Sequence, residues 1–158
     1  MGPLASFLSA DHDRLDALLQ RADGDAAAYE EFRRGLLRHV GMEEMILLPA
    51  VKKLTGSPAA LAAKIRLDHG ALTALLIPSP TPLIVAAIVK ILVPHNELEE
   101  RDGGLYAECE KALGAEAPRV LADLRNARDI PPAAHVDGPH VLASVRRAIA
   151  AAGHGPLI

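Results

Sequence analysis

Apolar residues recur at steps of three and four along four stretches of the chain, and a polar residue interrupts each series. In the first stretch Leu4, Leu8, Leu15 and Leu19 leave a place that is filled by His12; in the second, Phe32, Leu36, Leu47 and Ala50 leave places for His39 and Glu43. Ala62, Ile65, Leu72 and Leu76 surround His69 in the third, and Ile84, Ile88, Ile91, Tyr106 and Cys109 run through His95 and Glu99 in the fourth. Such steps keep side chains on one face of a helix. Turn compositions at Ala22 to Asp25, Thr55 to Pro58 and Ile77 to Pro82 separate the stretches. The pattern predicts an all-α fold, an up-down-up-down four-helix bundle over residues 1–113, with a C-terminal extension over 114–158. That extension contains a short helical stretch to Arg128, the linker "DIPPAAHVDGP" and a last helix from His140 to Ala151. Leu142, Val145 and Ile149 give this helix an apolar face, expected to pack on the bundle or on a neighbouring subunit as a homodimer contact.

Composition narrows the picture. A chain of 158 residues can bury about two-thirds of its unfolded surface and needs no covalent staple. Half its residues are apolar, yet only two Tyr and two Phe are aromatic, which suits close-packed helices rather than strands. A net charge of -3 with dispersed Lys and Arg excludes a basic stripe for nucleic acid. The apolar run from Leu83 to Val93 is about half the length needed to span a bilayer and contains Lys90, so no membrane span is expected. "MGPLASFL" lacks the features of a secretory signal. With Cys109 as the single cysteine, the chain suits a reducing compartment, and a cytoplasmic location is expected.

The polar interruptions carry the chemistry. "RHVGMEE" and "PHNELEE" place His39 four residues before Glu43 and His95 four before Glu99. At that spacing an imidazole and a carboxylate project from one face of a helix. Two carboxylates aimed into an apolar core are costly unless something neutralises them. A cation does so, and imidazole with carboxylate suits iron, manganese or zinc. Six candidate ligands, His12, His39, Glu43, His69, His95 and Glu99, exceed the needs of one tetrahedral zinc and suit two ions bridged by the glutamates. Elsewhere the chain shows no nucleotide loop and no nucleophilic triad.

In this arrangement the chain resembles the hemerythrin-like (HHE cation-binding) family. The resemblance is carried by "DHDRLDALL" around His12, "HVGMEEMILLP" from His39, "LDHGALTALL" around His69 and "HNELEERDGGLY" from His95, and covers residues 4 to about 113. It implies a four-helix bundle holding two iron ions in a non-haem centre. It also implies handling or sensing of iron, oxygen, nitric oxide or peroxide, with a diatomic or peroxide as the small ligand. Either a metal-dependent sensor without turnover or an enzyme decomposing peroxide fits this resemblance. Oxygen carriers of the family have a second histidine four residues after that of the third helix, where this chain has Thr73, and an aspartate where it has Glu100 beside Glu99. The likeness is therefore to the bacterial members with four histidines and two glutamates.

Several neighbouring residues carry expectations too. Glu44 and Glu100 lie about a hundred degrees round from the ligand face and are expected to face solvent, the alternative being that they accept from ligand histidines; on the first reading Glu44→Ala leaves the metal content near that of the parent. Tyr106, two turns beyond Glu99 on the same stripe, either places its hydroxyl near the centre or fills the core, and filling is expected; Cys109 is expected to act as a small buried hydrophobe. Pro94 frees the carbonyl of Lys90, as a kink or as a helix restart. His135, His140 and His154 are expected to be solvent groups.

Overall fold

The structure, a computed structural model, describes residues 1–158. It is helical, with no strand: α1 Pro3–Arg21, α2 Ala26–Met42, α3 Leu48–Thr55, α4 Ala62–Leu75, α5 Pro82–Glu100, α6 Leu105–Leu113, α7 Ala117–Arg125 and α8 Pro139–Ala151. No helix is long and apolar enough to cross a membrane. Local chemistry sets the helix starts. Asp25 caps α2 by accepting from the Ala28 N–H at 3.0 Å, and Thr81 caps α5 by accepting from the Ile84 N–H at 3.2 Å, with Pro82 following as first helical residue. The start of α1 takes its acceptor from far along the chain, since the Glu110 carboxylate accepts from the N–H groups of Leu4 and Ala5. A carboxylate there satisfies free donors and complements the helix dipole.

Two of the four expected helices are interrupted. The second passes through a π-helical turn, Glu43–Leu47, before continuing as α3. Pro49 has no N–H to offer the carbonyl one turn earlier, and just before it the ladder widens, the Leu48 N–H donating to the Glu43 carbonyl. The extra residue in the turn rotates the face that follows: Leu47, Leu48 and Val51 are buried, whereas Ala50, expected in the core, is only half-buried. The fourth ends at Glu100, and α6 begins only at Leu105. Gly103 adopts a positive φ of 71° in the break, a conformation that favours glycine. At Gly104 a Cβ would lie 2.6 Å from the Leu98 carbonyl oxygen, which closes the turn to larger residues. Pro94, by contrast, lies inside a continuous α5 rather than at a restart, on an exposed position where the freed carbonyl meets water.

The buried apolar residues form two clusters, one on either side of a polar layer. Leu15, Leu19, Phe32, Leu36, Leu72, Leu75, Ile88 and Ile91 belong to one; Leu4, Leu8, Met42, Leu47, Ile65, Leu105 and Cys109 belong to the other. Thus α1 and α4 run from the second cluster to the first, while α2 and α5 run from the first towards the second. His12, His39, Glu43, His69, His95 and Glu99 are buried in the layer between.

The C-terminal extension packs on both halves. Val120 and Leu124 of α7 join the second cluster, whereas Val141, Val145 and Ile149 of α8 join the first, with α8 lying along α4. Buried Arg33 secures the linker between them by donating to the carbonyls of Leu76 at 3.1 Å and Ala133 at 3.0 Å. Ser79 adds a pair of hydrogen bonds to Asp137.

Candidate metal centre

All six sequence-predicted ligands come together in the polar layer. Their donor atoms form two overlapping groups, His12 with His39 and His69 with His95, each completed by Glu43 and Glu99, and within each group the atoms lie within 4.8 Å of one another. The carboxylate oxygens divide evenly. Glu43 Oε1 lies 3.3 Å from His39 Nε2 and its Oε2 3.1 Å from His69 Nε2; Glu99 Oε2 lies 3.2 Å from His12 Nε2 and its Oε1 3.1 Å from His95 Nε2. Each histidine pair therefore faces one oxygen of each glutamate. Glu43 Oε2, Glu99 Oε1 and His69 Nε2 are buried without a hydrogen-bond partner. Their separations are of hydrogen-bond length, yet they make no hydrogen bond. Clustered donors with neither a partner nor solvent to satisfy them fit a cation. These buried groups can hold a metal ion.

Outer carboxylates orient every imidazole. His39 Nδ1 pairs with Asp11 at 2.9 Å, His69 Nδ1 with Glu44 at 2.8 Å, His95 Nδ1 with Asp68 at 3.4 Å, and His12 Nδ1 with Glu100 at 2.5 Å. A carboxylate on Nδ1 fixes the ring and leaves Nε2 pointing inward as a donor of raised basicity. Of the two readings of Glu44 and Glu100, the favoured one, a solvent charge, is thus corrected in favour of the other, an acceptor for a histidine. A position a hundred degrees from the core face still borders the groove to the next helix, and a long side chain in that groove reaches a histidine while staying part-exposed. Asp11 and Asp68 escaped sequence reasoning altogether. The available signal was a doubled Asp-His pair, Asp11-His12 and Asp68-His69, matching the doubled His-x-x-x-Glu-Glu.

Protons hold this cluster together when no cation does. Burial pushes the His39 imidazole down, but Asp11 and Glu43 outweigh it and carry the group up to about 10. Burial is likewise overcome at His69 by Glu43 and Glu44, and at His95 by Glu99 and Asp68, each reaching about 9. In return Glu43, although burial raises it, is held well below the usual carboxylate range by His39 and His69. Imidazolium protons occupy the place a metal's charge would take.

Tyr106 departs from its expected role as filler. It is buried, but its hydroxyl lies 2.6 Å from Glu43 Oε1, 3.1 Å from Glu99 Oε2, 3.1 Å from His12 Nε2 and 3.3 Å from His39 Nε2. The break at Arg101–Gly104 redirects the chain, and α6 delivers this residue to the centre, the less favoured of its two expected places. Cys109 behaves as expected: it is fully buried, and burial raises its thiol to about 12. On the opposite side of the centre, among Leu15, Leu36 and Leu92, a cavity of about 10 Å³ is lined by all four candidate histidines, room for roughly one water.

His154 is also corrected. Its Nε2 lies 2.8 Å from Asp68 Oδ1, and Lys64 joins them by donating to the same oxygen at 2.6 Å and to the Ala152 carbonyl at 2.8 Å. The C-terminal tail thereby braces the carboxylate that holds His95. We expect His154→Ala to speed loss of metal to a competing chelator by less than the 10–100-fold typical of a carboxylate directly on a ligand histidine, and Asp68→Ala to reach that range. Equal loss rates for parent and both variants would refute the link. His135 pairs with Glu30, and His140 is exposed.

No family model, no curated protein and no solved structure matches the chain.

Proposed function

We propose that residues 1–113 form a four-helix bundle of the hemerythrin-like kind that holds two iron ions, extended by residues 114–158, and that the centre handles a small oxidant, nitric oxide or peroxide. The observation that carries this reading is the even division of the four carboxylate oxygens of Glu43 and Glu99 between two histidine pairs. A single ion would leave half of these donors unused, whereas two ions use all of them. When bound, an iron pair supplies redox chemistry and an open coordination position.

The chain's own residues do the rest. His12, His39, His69 and His95 present Nε2, and the outer carboxylates keep them there. Leu15, Leu36 and Leu92 border a cavity sized for about one water, which leaves no room for an organic substrate beside the centre. Thr73 supports a role other than reversible oxygen carriage. Its hydroxyl donates to the His69 carbonyl at 2.8 Å on a half-buried position and offers the centre nothing. A sensor without turnover is favoured by one observation, the contact of the C-terminal tail with Asp68, through which occupancy of the centre can reach the extension.

Metal analysis after expression with added iron tests the first step. About two irons per chain are expected; one zinc, or no metal, would refute the reading. Peroxide consumption by iron-loaded but not metal-free protein then separates the enzyme from the sensor.

A further inference from the structure

The two halves of the centre differ in one donor. Tyr106 reaches Glu43 Oε1, Glu99 Oε2, His12 Nε2 and His39 Nε2, the four atoms of one group. The other group receives no comparable neighbour: Glu43 Oε2, Glu99 Oε1 and His69 Nε2 are the atoms left buried and unpartnered. A buried tyrosine hydroxyl needs one partner, and a site that surrounds it with four donor atoms serves another purpose. Filling a gap in an apolar cluster would not require the hydroxyl, and Phe would meet that need.

We propose that the Tyr106 oxygen is a fifth donor to the ion held by His12 and His39, and that the ion held by His69 and His95 is the one that takes the exogenous ligand. This rests on the two-ion reading and refines it. The first ion then has two imidazole nitrogens, two carboxylate oxygens and a phenol oxygen. The second has two nitrogens and two oxygens, and keeps more of its positions free. In forming the bond, the tyrosine oxygen donates a lone pair to the ion, its O–H bond breaks and the proton leaves to solvent; no electron is transferred. The cavity among Leu15, Leu36 and Leu92 borders all four histidines and so reaches both ions, and Tyr106, arriving from the opposite side with Leu105 and Cys109, fills a position on the first ion alone.

The test uses the full chain loaded with iron-57, and begins with metal content. If the parent does not hold about two irons, the two-ion reading fails before the role of Tyr106 is reached. With two irons bound, visible-excited resonance Raman spectra of the ferric parent should show tyrosinate ring vibrations. Mössbauer spectra should show two doublets of equal area from inequivalent ions. Tyr106→Phe should lose the vibrations and bring the doublets together. Azide added to the parent should bind while the tyrosinate vibrations persist, because it occupies the other ion. Absence of those vibrations in a parent holding two irons would overturn the assignment of Tyr106 as a donor and leave the two-ion reading standing. Their disappearance on adding azide would overturn the assignment of the open position. The parent spectra decide both points even if Tyr106→Phe fails to fold.

Discussion

Glu43→Ala should lose most of the bound metal, with an affinity more than about 100-fold below that of the parent, whereas Glu44→Ala should lose about 10–100-fold. The difference follows from what each carboxylate touches. Glu43 is fully buried and gives one oxygen to the pair containing His39 and the other to the pair containing His69, so its removal takes a donor from both groups at once. Glu44 meets the Nδ1 of His69 and, at 3.6 Å, the guanidinium of Arg66, and its loss frees the His69 ring to turn without removing an inward-facing donor. At saturating metal a 100-fold change in affinity corresponds to about 2.7 kcal/mol of stability. For a chain of this size that lowers the melting temperature by about 5–10 °C. Chelator competition and thermal melts of the parent and the two variants check the order. Full metal content in Glu43→Ala, or equal loss in both variants, would show that the two carboxylates do not have these separate roles.

The reach of sequence reasoning is visible in that pair of residues. Glu43 was legible because it replaces an apolar residue on a helical stripe, and a stripe is a property of one helix. The contact of Glu44 with His69 depends on how far the next helix lies from its side, which no single-helix periodicity contains. Asp11, Asp68 and Glu100 belong to the same class: each holds a histidine on a different helix from its own. His12, His39, His69 and His95 were found for the reason that Glu43 was. Tyr106 was placed on the correct face, but its meeting with both glutamates depends on the turn at Gly103 and Gly104 and on the return of α6. "RDGG" signals a break; it does not say where the chain points afterwards.

Helix existence was likewise more legible than helix continuity. The steps through Leu36, His39 and Glu43 hold, but one extra residue in the turn Glu43–Leu47 rotates everything after it, so Leu48 and Val51 take the place expected for Ala50. The proline at position 49 was the available clue. In the tail, the apolar face of α8 was readable and its neighbour was not. Once α8 lies on α4, His154 comes to Asp68, and a residue that sequence position alone assigns to solvent reaches the centre through one carboxylate.

Metal binding and metal-free stability should respond to pH in opposite directions. In the metal-free fold His39 titrates at about 10 and His69 and His95 at about 9, against 6.5 for an unperturbed imidazole. A group whose folded value is raised stabilises the fold fully below its unfolded value and loses that contribution as pH rises through the folded one. The metal-free protein should therefore melt at progressively lower temperature between pH 7 and pH 9. The lowered carboxylates, Asp11, Glu43, Glu44 and Asp68, titrate on the acid side of this window and leave its sign unchanged. A cation competes with the same imidazole protons, so each proton displaced makes the apparent metal affinity rise about tenfold per pH unit while pH stays below that group's value. The melting temperatures of loaded and metal-free protein should accordingly diverge from pH 7 to pH 9, and metal added at pH 7 in weak buffer should release protons that an indicator dye detects. A metal-free melting temperature that holds constant or rises across this window, together with metal uptake that releases no protons, would mean that His39, His69 and His95 are neutral before the metal arrives.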